Sequence, residues 1–253
     1  MKALPITIVI ACLLAGQLFA QSPAKKVLVL YENGGHHLAF SKRAMPWLDS
    51  VAAARHWQLD YSTTAAVIND SSLQHYQLVL QLDYPPYSWP DAAVKAFESY
   101  IRQGKGGWVG LHHATLLGEF DGFPMWNWFS SFMGDIRFKD YIANFATGTV
   151  AVEDTRHPVM QGIPAAFTVS NEEWYTYNKS PRPNVHVLAR VNEASYNPPS
   201  DKKMGDHPVV WTNQHMKARN VYIFMGHSPS HFNNAAYTKL LANALIWAIG
   251  EKK

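Results

Sequence analysis

The chain has 253 residues, 22 Lys and Arg against 19 Asp and Glu, a formal net charge of +3 and one cysteine. The basic residues are scattered, which excludes the charged stripe or tail that nucleic acid or an anionic membrane surface would need. Cys12 lies in the first twenty residues, so a chain that loses them has no disulfide, no thiolate metal site and no cysteine nucleophile.

Lys2, the apolar run from Ile6 to Leu14 and the small residues before Gln21 predict a secretory signal over residues 1–20, cleaved after Ala20. The run is too short to span a bilayer, so no transmembrane segment is expected. Val9-Ile10-Ala11-Cys12 has a faint lipoprotein look, but the long apolar tail after Cys12 argues against a lipid anchor. The expected location is the periplasm or the exterior. Removing Lys2 leaves 22 − 1 = 21 basic residues against 19 acidic, a net +2. About 230 residues can bury a sizeable core, and a single domain over 25–251 is the expectation.

KKVLVLY (25–31) is a short apolar run ending in a Gly turn, the pattern of a strand buried on both faces. After ENGGHH, apolar residues at Phe40, Ala44, Trp47, Leu48 and Val51 have helical spacing. WQLDYST (57–63) and QLVLQLD (77–83) are the next strands. Ser88 and Asp91 have capping-box spacing, Val94, Phe97, Tyr100 and Ile101 make a buried helical stripe, and Gly104 stops it. GGWVGLHH is the fourth strand. This alternation predicts a parallel sheet with helices on both faces. Residues 120–140 read as a loop with a short aromatic helix. TGTVAVED, FTVSNEEWYTY and VHVLARV read as strands. HPVVWTN and RNVYIFMGH read as a pair joined by a turn, and AYTKLLANALIWAIG as a closing helix.

In such sheets ligands bind beyond the carboxyl ends of the strands. Three histidine-bearing segments fall there: His36 and His37 after the first strand, His112 and His113 after the fourth, and His227 after NVYIFM. His157 and His207 each precede Pro and are expected in turns. His56, His75 and His186 read as surface or strand-edge residues. Glu172 and Glu173 supply carboxylates, but neighbours in an extended strand point to opposite faces, so one is expected at the site and the other in water. That disfavours the facing carboxylate pair of most glycoside hydrolases. A single Glu beside neutral imidazoles suits a general base or a His/Glu metal site. His231, four residues after His227, is a weaker candidate because Pro229 intervenes. No phosphate-cradling glycine loop is present. Aromatic residues make up 13% of the chain. They fit a large core or, more sharply, walls for sugar rings.

These stretches together resemble the ThuA-like (trehalose-utilisation) family: VLVLYENGGHH, GGWVGLHHA, HPVMQGIP, NEEWYTY, HPVVWTNQHMKARNVYIFMGH and LLANALIWA. The resemblance implies a flavodoxin-like three-layer αβα domain with a mostly parallel central sheet, related to class I glutamine amidotransferases. It also implies a role in carbohydrate metabolism. The family's Gly-hydrophobic-His-Ala turn falls on Gly110 to Ala114 with its histidine at His112, and its Leu-Gly-His falls on Met225, Gly226 and His227. Its acidic-aromatic motif falls on Glu172, Glu173, Trp174 and Tyr175, with Glu in place of Asp. His36 or His37 matches the histidine of its first loop. Related amidotransferases carry a cysteine at the fourth-strand elbow; none remains here, which removes glutaminase chemistry.

The expected catalytic residues are His112, His113, Glu173 and His227. The expected substrate-binding residues are His36, His37, Glu172, Trp126, Trp128, Trp174 and Tyr175, with the aromatics as pocket walls. His37, His112 and His227 are the candidate ligands of a divalent metal such as zinc. The expected ligand is a small carbohydrate, and the expected activity is that of a hydrolase, lyase or isomerase on a sugar, glycoside or keto-sugar. The alternatives are a non-catalytic sugar-binding module and a metal-dependent hydrolase of another class.

Overall fold

The computed structural model describes residues 24–118 and 122–251. The expected signal over residues 1–20, with Cys12, lies outside them. Among the described residues no helix is long and apolar enough to cross a membrane.

The first half alternates strand and helix as its sequence predicts: β1 (Lys25–Tyr31), α1 (Leu38–Arg55), β2 (Trp57–Ser62), the short α2 (Asp70–Leu73), β3 (Leu78–Leu82), α3 (Asp91–Gln103) and β4 (Gly107–Leu111). α4 (Asn127–Phe132) is the short aromatic helix, followed by β5 (Phe138–Tyr141), β6 (Ala146–Val152), β7 (Ala166–Glu172), β8 (Tyr175–Tyr177), β9 (His186–Asn197), β10 (Pro208–Thr212), β11 (Asn220–Ile223) and α5 (Ala235–Ala248).

Nine strands form one sheet in the order β2-β1-β3-β4-β11-β10-β9-β6-β7. The pairings from β2 through β11 are parallel; those from β11 through β7 are antiparallel. Seven of the nine strands therefore point the same way, with only β10 and β6 reversed. β3 and β4 are buried along their whole length, as strands covered on both faces must be. The two covers can be told apart at β4, because successive residues face opposite sides. A Cβ at Gly107 would lie 2.1 Å from the Ala248 carbonyl of α5. The next residue, Trp108, meets Phe129 and Phe132 of α4, and Phe129 stacks on Phe97 of α3. Leu48 of α1 and Leu245 of α5 share a cavity with Val27, Val29 and Leu80, so α1 and α5 cover one face and α3 and α4 the other. This is a three-layer αβα arrangement.

Two local expectations differ. Ser88 does not cap α3: Pro90 is the N-cap with extended backbone, and Ser88 sits at φ +59°. Gly104 does stop the helix, in the left-handed conformation that spares it a Cβ penalty. FTVSNEEWYTY is not one strand. It breaks at Glu173–Trp174 and resumes as β8, which pairs with β5 in a separate two-stranded sheet.

Candidate functional site

The carboxyl ends of β1, β3, β4 and β11 are neighbours in the sheet, so the loops leaving them share one edge. His37 lies in the one-turn helix after β1, His112 immediately after β4, and His227 four residues past β11. The ring centroids of His37 lie 4.9 Å from His112, 4.5 Å from His227 and 3.8 Å from His113. The elbow after β4 is tight. His112 has φ +38°, an unusual conformation for a residue with a side chain. Gly226 makes room for it: a Cβ there would stand 2.6 Å from the His112 Cβ.

The hydrogen bonds assign His112 a tautomer. Its Nδ1 faces two acceptors, the Phe224 carbonyl at 3.2 Å and Glu172 Oε1 at 3.5 Å, so Nδ1 carries the proton. Nε2 is then an acceptor, and the Tyr175 hydroxyl donates to it at 2.7 Å. Glu173 Oε2 lies 3.5 Å from that Nε2 and 3.4 Å from His227 Nδ1. His37 Nε2 lies 2.8 Å from the same His227 nitrogen. His37, His112, Glu173 and His227 thus each bring one donor atom into a cluster in which all lie within 4.8 Å of one another.

Both glutamates reach the cluster, which corrects the expectation that one would face water. Alternation fails because the extended chain ends at Glu172: Asn171 has φ +56°, and Glu173 and Trp174 belong to neither strand. Glu172 is fully buried behind the imidazoles. It accepts from His231 Nε2 at 2.6 Å, the Gly226 amide at 3.1 Å and the Glu173 amide at 2.9 Å. It holds the site's parts in place and has no surface on which to touch substrate, so the expected substrate contact is corrected too. His231, the weak candidate, is fixed to it.

Burial pushes His37 and His112 below the ordinary imidazole value; neighbouring imidazoles add to the effect at His37, and at His112 burial outweighs the pull of Glu172 and Glu173. Burial pushes Glu172 and Glu173 up, but the facing imidazoles outweigh it and hold each carboxyl at about 2. At neutral pH His37 and His112 are thus neutral, and Glu172 and Glu173 are anionic. In the metal-free protein, stability is therefore expected to fall as pH drops below about 6.5, because the unfolded chain gains imidazole protons that folded His37 and His112 refuse. The slope is about 1.4 kcal/mol per pH unit for each buried imidazole. The carboxylates add a further loss from about 4.3 downward, through their folded value of about 2. Urea midpoints between pH 7.5 and 5 check this; a flat profile would remove the neutral buried pair.

A pocket of roughly 340 Å³ opens above the cluster. His37 and Glu173 form its floor, with His112 and His227 buried beneath. His113 lines one wall, with Nδ1 2.8 Å from Glu32 Oε2, and His36 stands exposed at the rim. The aromatic walls are Tyr87, Phe138, Tyr141 and Tyr175. Of the aromatics expected there, only Tyr175 belongs. Trp174 is fully buried, stacked on Phe224 at 5.4 Å, with its indole N–H donated to the Ala146 carbonyl at 2.8 Å. Trp126 and Trp128 pack with Phe97, Phe129 and Phe132 between α3 and α4. They belong to the core layer because the short aromatic helix covers the sheet face.

Sequence reasoning misses Glu32, although it lies one residue past β1, at the same strand-end position that marks the histidines. Asp83, one residue past β3, is likewise buried at the site; its Oδ2 accepts from Ser41 Oγ at 3.1 Å, and burial pushes its carboxyl well up. His207 is more than a turn residue: it is buried and paired with Glu193 at 2.9 Å, away from the site.

With this geometry stands a match to the ThuA family, described as trehalose utilisation, over residues 26–248. The chain belongs to the ThuA family. A ThuA-like protein from Bacteroides uniformis has a similar structure, with a TM-score of 0.80 and 28% identity over 94% of this chain and 97% of that one. Another from Parabacteroides merdae has a TM-score of 0.65 and 19% identity over 90% of each chain. A GMP synthase protein from Thermoplasma acidophilum has a TM-score of 0.50 and 11% identity, covering 88% of this chain and 92% of that one. At such identities the last two likenesses concern the fold, which is ThuA-like and glutamine amidotransferase-like. No match was found among curated proteins. ThuA membership supports a carbohydrate-related role.

Proposed function

We infer that this ThuA-family protein is an enzyme acting on a sugar, glycoside or keto-sugar with the help of a divalent metal held by His37, His112, His227 and Glu173. The observation that carries this reading is the meeting of those four donors, from four separate loops, directly under a pocket. The donor set fits: imidazole nitrogens with one ionised carboxylate suit zinc and its neighbours. His112 is oriented as metal-ligating histidines are, with Nδ1–H directed at the Phe224 carbonyl and Glu172 while Nε2 faces the cluster. A bound divalent ion supplies a Lewis acid at the pocket floor. The chain's own residues do the rest. Tyr87, Phe138 and Tyr141 offer ring faces to a pyranose. The Tyr175 hydroxyl, which donates to His112 Nε2 while that lone pair is free of metal, is released to the pocket it lines when the ion binds. Glu172 fixes the loop that carries His227 and His231.

The test uses protein purified without a histidine tag from the periplasmic fraction, its N-terminus read to place cleavage after Ala20. Metal content and turnover of trehalose, sucrose and their 3-keto forms are measured for wild type and His112→Ala. Wild type is expected to hold metal and turn over at least one of these substrates. His112→Ala should lose metal and more kcat/KM than the roughly 10- to 100-fold that follows loss of a ligand's outer-shell partner alone. Equal turnover by both proteins removes the centre from the chemistry. Saturable sugar binding without product leaves a sugar-binding module.

A further inference from the structure

We propose that a second divalent transition-metal ion binds at the mouth of the pocket, between Glu32, His37 and His113, with the His37 ring shared between the two centres. The proposal rests on the reading of the first centre given above and adds to it the ion that substrate would meet.

His37 has two functional edges. Its Nε2 faces the inner cluster, 2.8 Å from His227 Nδ1. Its Nδ1, on the other edge, is buried and has no hydrogen-bond partner among the described residues, yet it points toward Glu32 Oε2 at 3.8 Å. The side chain as a whole is 3% exposed, so solvent does not satisfy that nitrogen. A buried unpartnered polar atom in a folded protein calls for a reason, and a role as an ion's ligand is one. The other two donors are in place. Glu32 Oε2 is 2.8 Å from His113 Nδ1, and the His113 and His37 rings are 3.8 Å apart. Glu32, His37 and His113 each bring one donor atom into a group whose members all lie within 4.8 Å of one another.

The two centres differ in what they leave open. The inner one has four protein donors, two of them on residues beneath the pocket floor, so a substrate oxygen could join it only as a fifth ligand. The outer one has three protein donors, all on pocket-lining residues, so a fourth position faces the cavity. Three protein ligands with an open position is the arrangement of catalytic rather than structural sites. A carbonyl or hydroxyl oxygen of a bound sugar reaches the outer ion, while the inner ion sets the position of His37. Coordination through both nitrogens sends the ring's single N–H proton to solvent.

The experiment measures metal per chain. Untagged protein is stripped with a chelator, dialysed against excess Zn²⁺, freed of unbound metal and assayed by mass spectrometry of the elements. Wild type is expected to hold two zinc ions per chain, and Glu32→Gln and the double variant Glu32→Gln/His113→Asn one each. Should the double variant misfold, judged by circular dichroism, the isosteric Glu32→Gln at the partly exposed rim decides. One ion in wild type overturns the outer site, keeps the inner one, and leaves Glu32 and His113 as an acid–base pair. No ion overturns both readings. Two ions retained in Glu32→Gln overturn the location.

Discussion

Glu172→Ala is expected to destabilise the protein by about 3–5 kcal/mol, the cost of breaking a buried charged network. The carboxylate is fully buried, yet it is ringed by N–H donors from His231, Gly226 and Glu173 and faces His112. Removing it leaves those donors without an acceptor in a place water does not reach, and unsatisfied buried groups carry the full desolvation penalty. Glu172→Gln keeps the volume but turns one acceptor into a donor, so a smaller loss is expected. Both changes should weaken metal binding about 10- to 100-fold through the orientation of His112. Urea unfolding and zinc titration read the two effects. A loss below about 1 kcal/mol for the alanine variant would mean that Glu172 is a passive neighbour and not the brace of the site.

Trp174→Ala is expected to cost a similar amount, about 3–5 kcal/mol, as a large-to-small change in a well-packed core. The indole stacks on Phe224, whose carbonyl faces His112 Nδ1, and it packs against Tyr196. Gly148 is small to admit it: a Cβ there would lie 2.8 Å from the indole. The substitution opens a cavity directly behind the elbow, and partial relaxation should loosen His112 as well. The same variant separates core from wall. A wall residue would weaken sugar binding with little change in stability, and that outcome would reverse the assignment of Trp174 to the core.

Much of the architecture is legible because parallel strands buried on both faces carry uninterrupted apolar runs, and KKVLVLY, QLVLQLD and GGWVGLHH announce themselves that way. The histidines are legible for a topological reason: they follow strands whose carboxyl ends lie on the same edge. Periodicity puts Glu172 and Glu173 on opposite faces because it assumes an unbroken strand, but left-handed Asn171 distorts it and the strand ends at Glu172. The tryptophans mislead because composition does not say which aromatic faces a cavity. Trp126 and Trp128 belong to a segment that covers the sheet, whereas the walls are built by Tyr87, Phe138 and Tyr141. Glu32 escapes notice because a lone acid in a loop has no periodic mark, although its place beside His37 follows from the same strand end.

β11, the last strand in the chain, sits in the middle of the sheet between β4 and β10. During synthesis the two halves of the protein therefore wait, each with an unpaired edge, until residues 220–223 emerge and bridge them. Termination just before that point would leave a single chain with two unpaired sheet edges, and degradation rather than a working shorter protein is the fate such a product should meet.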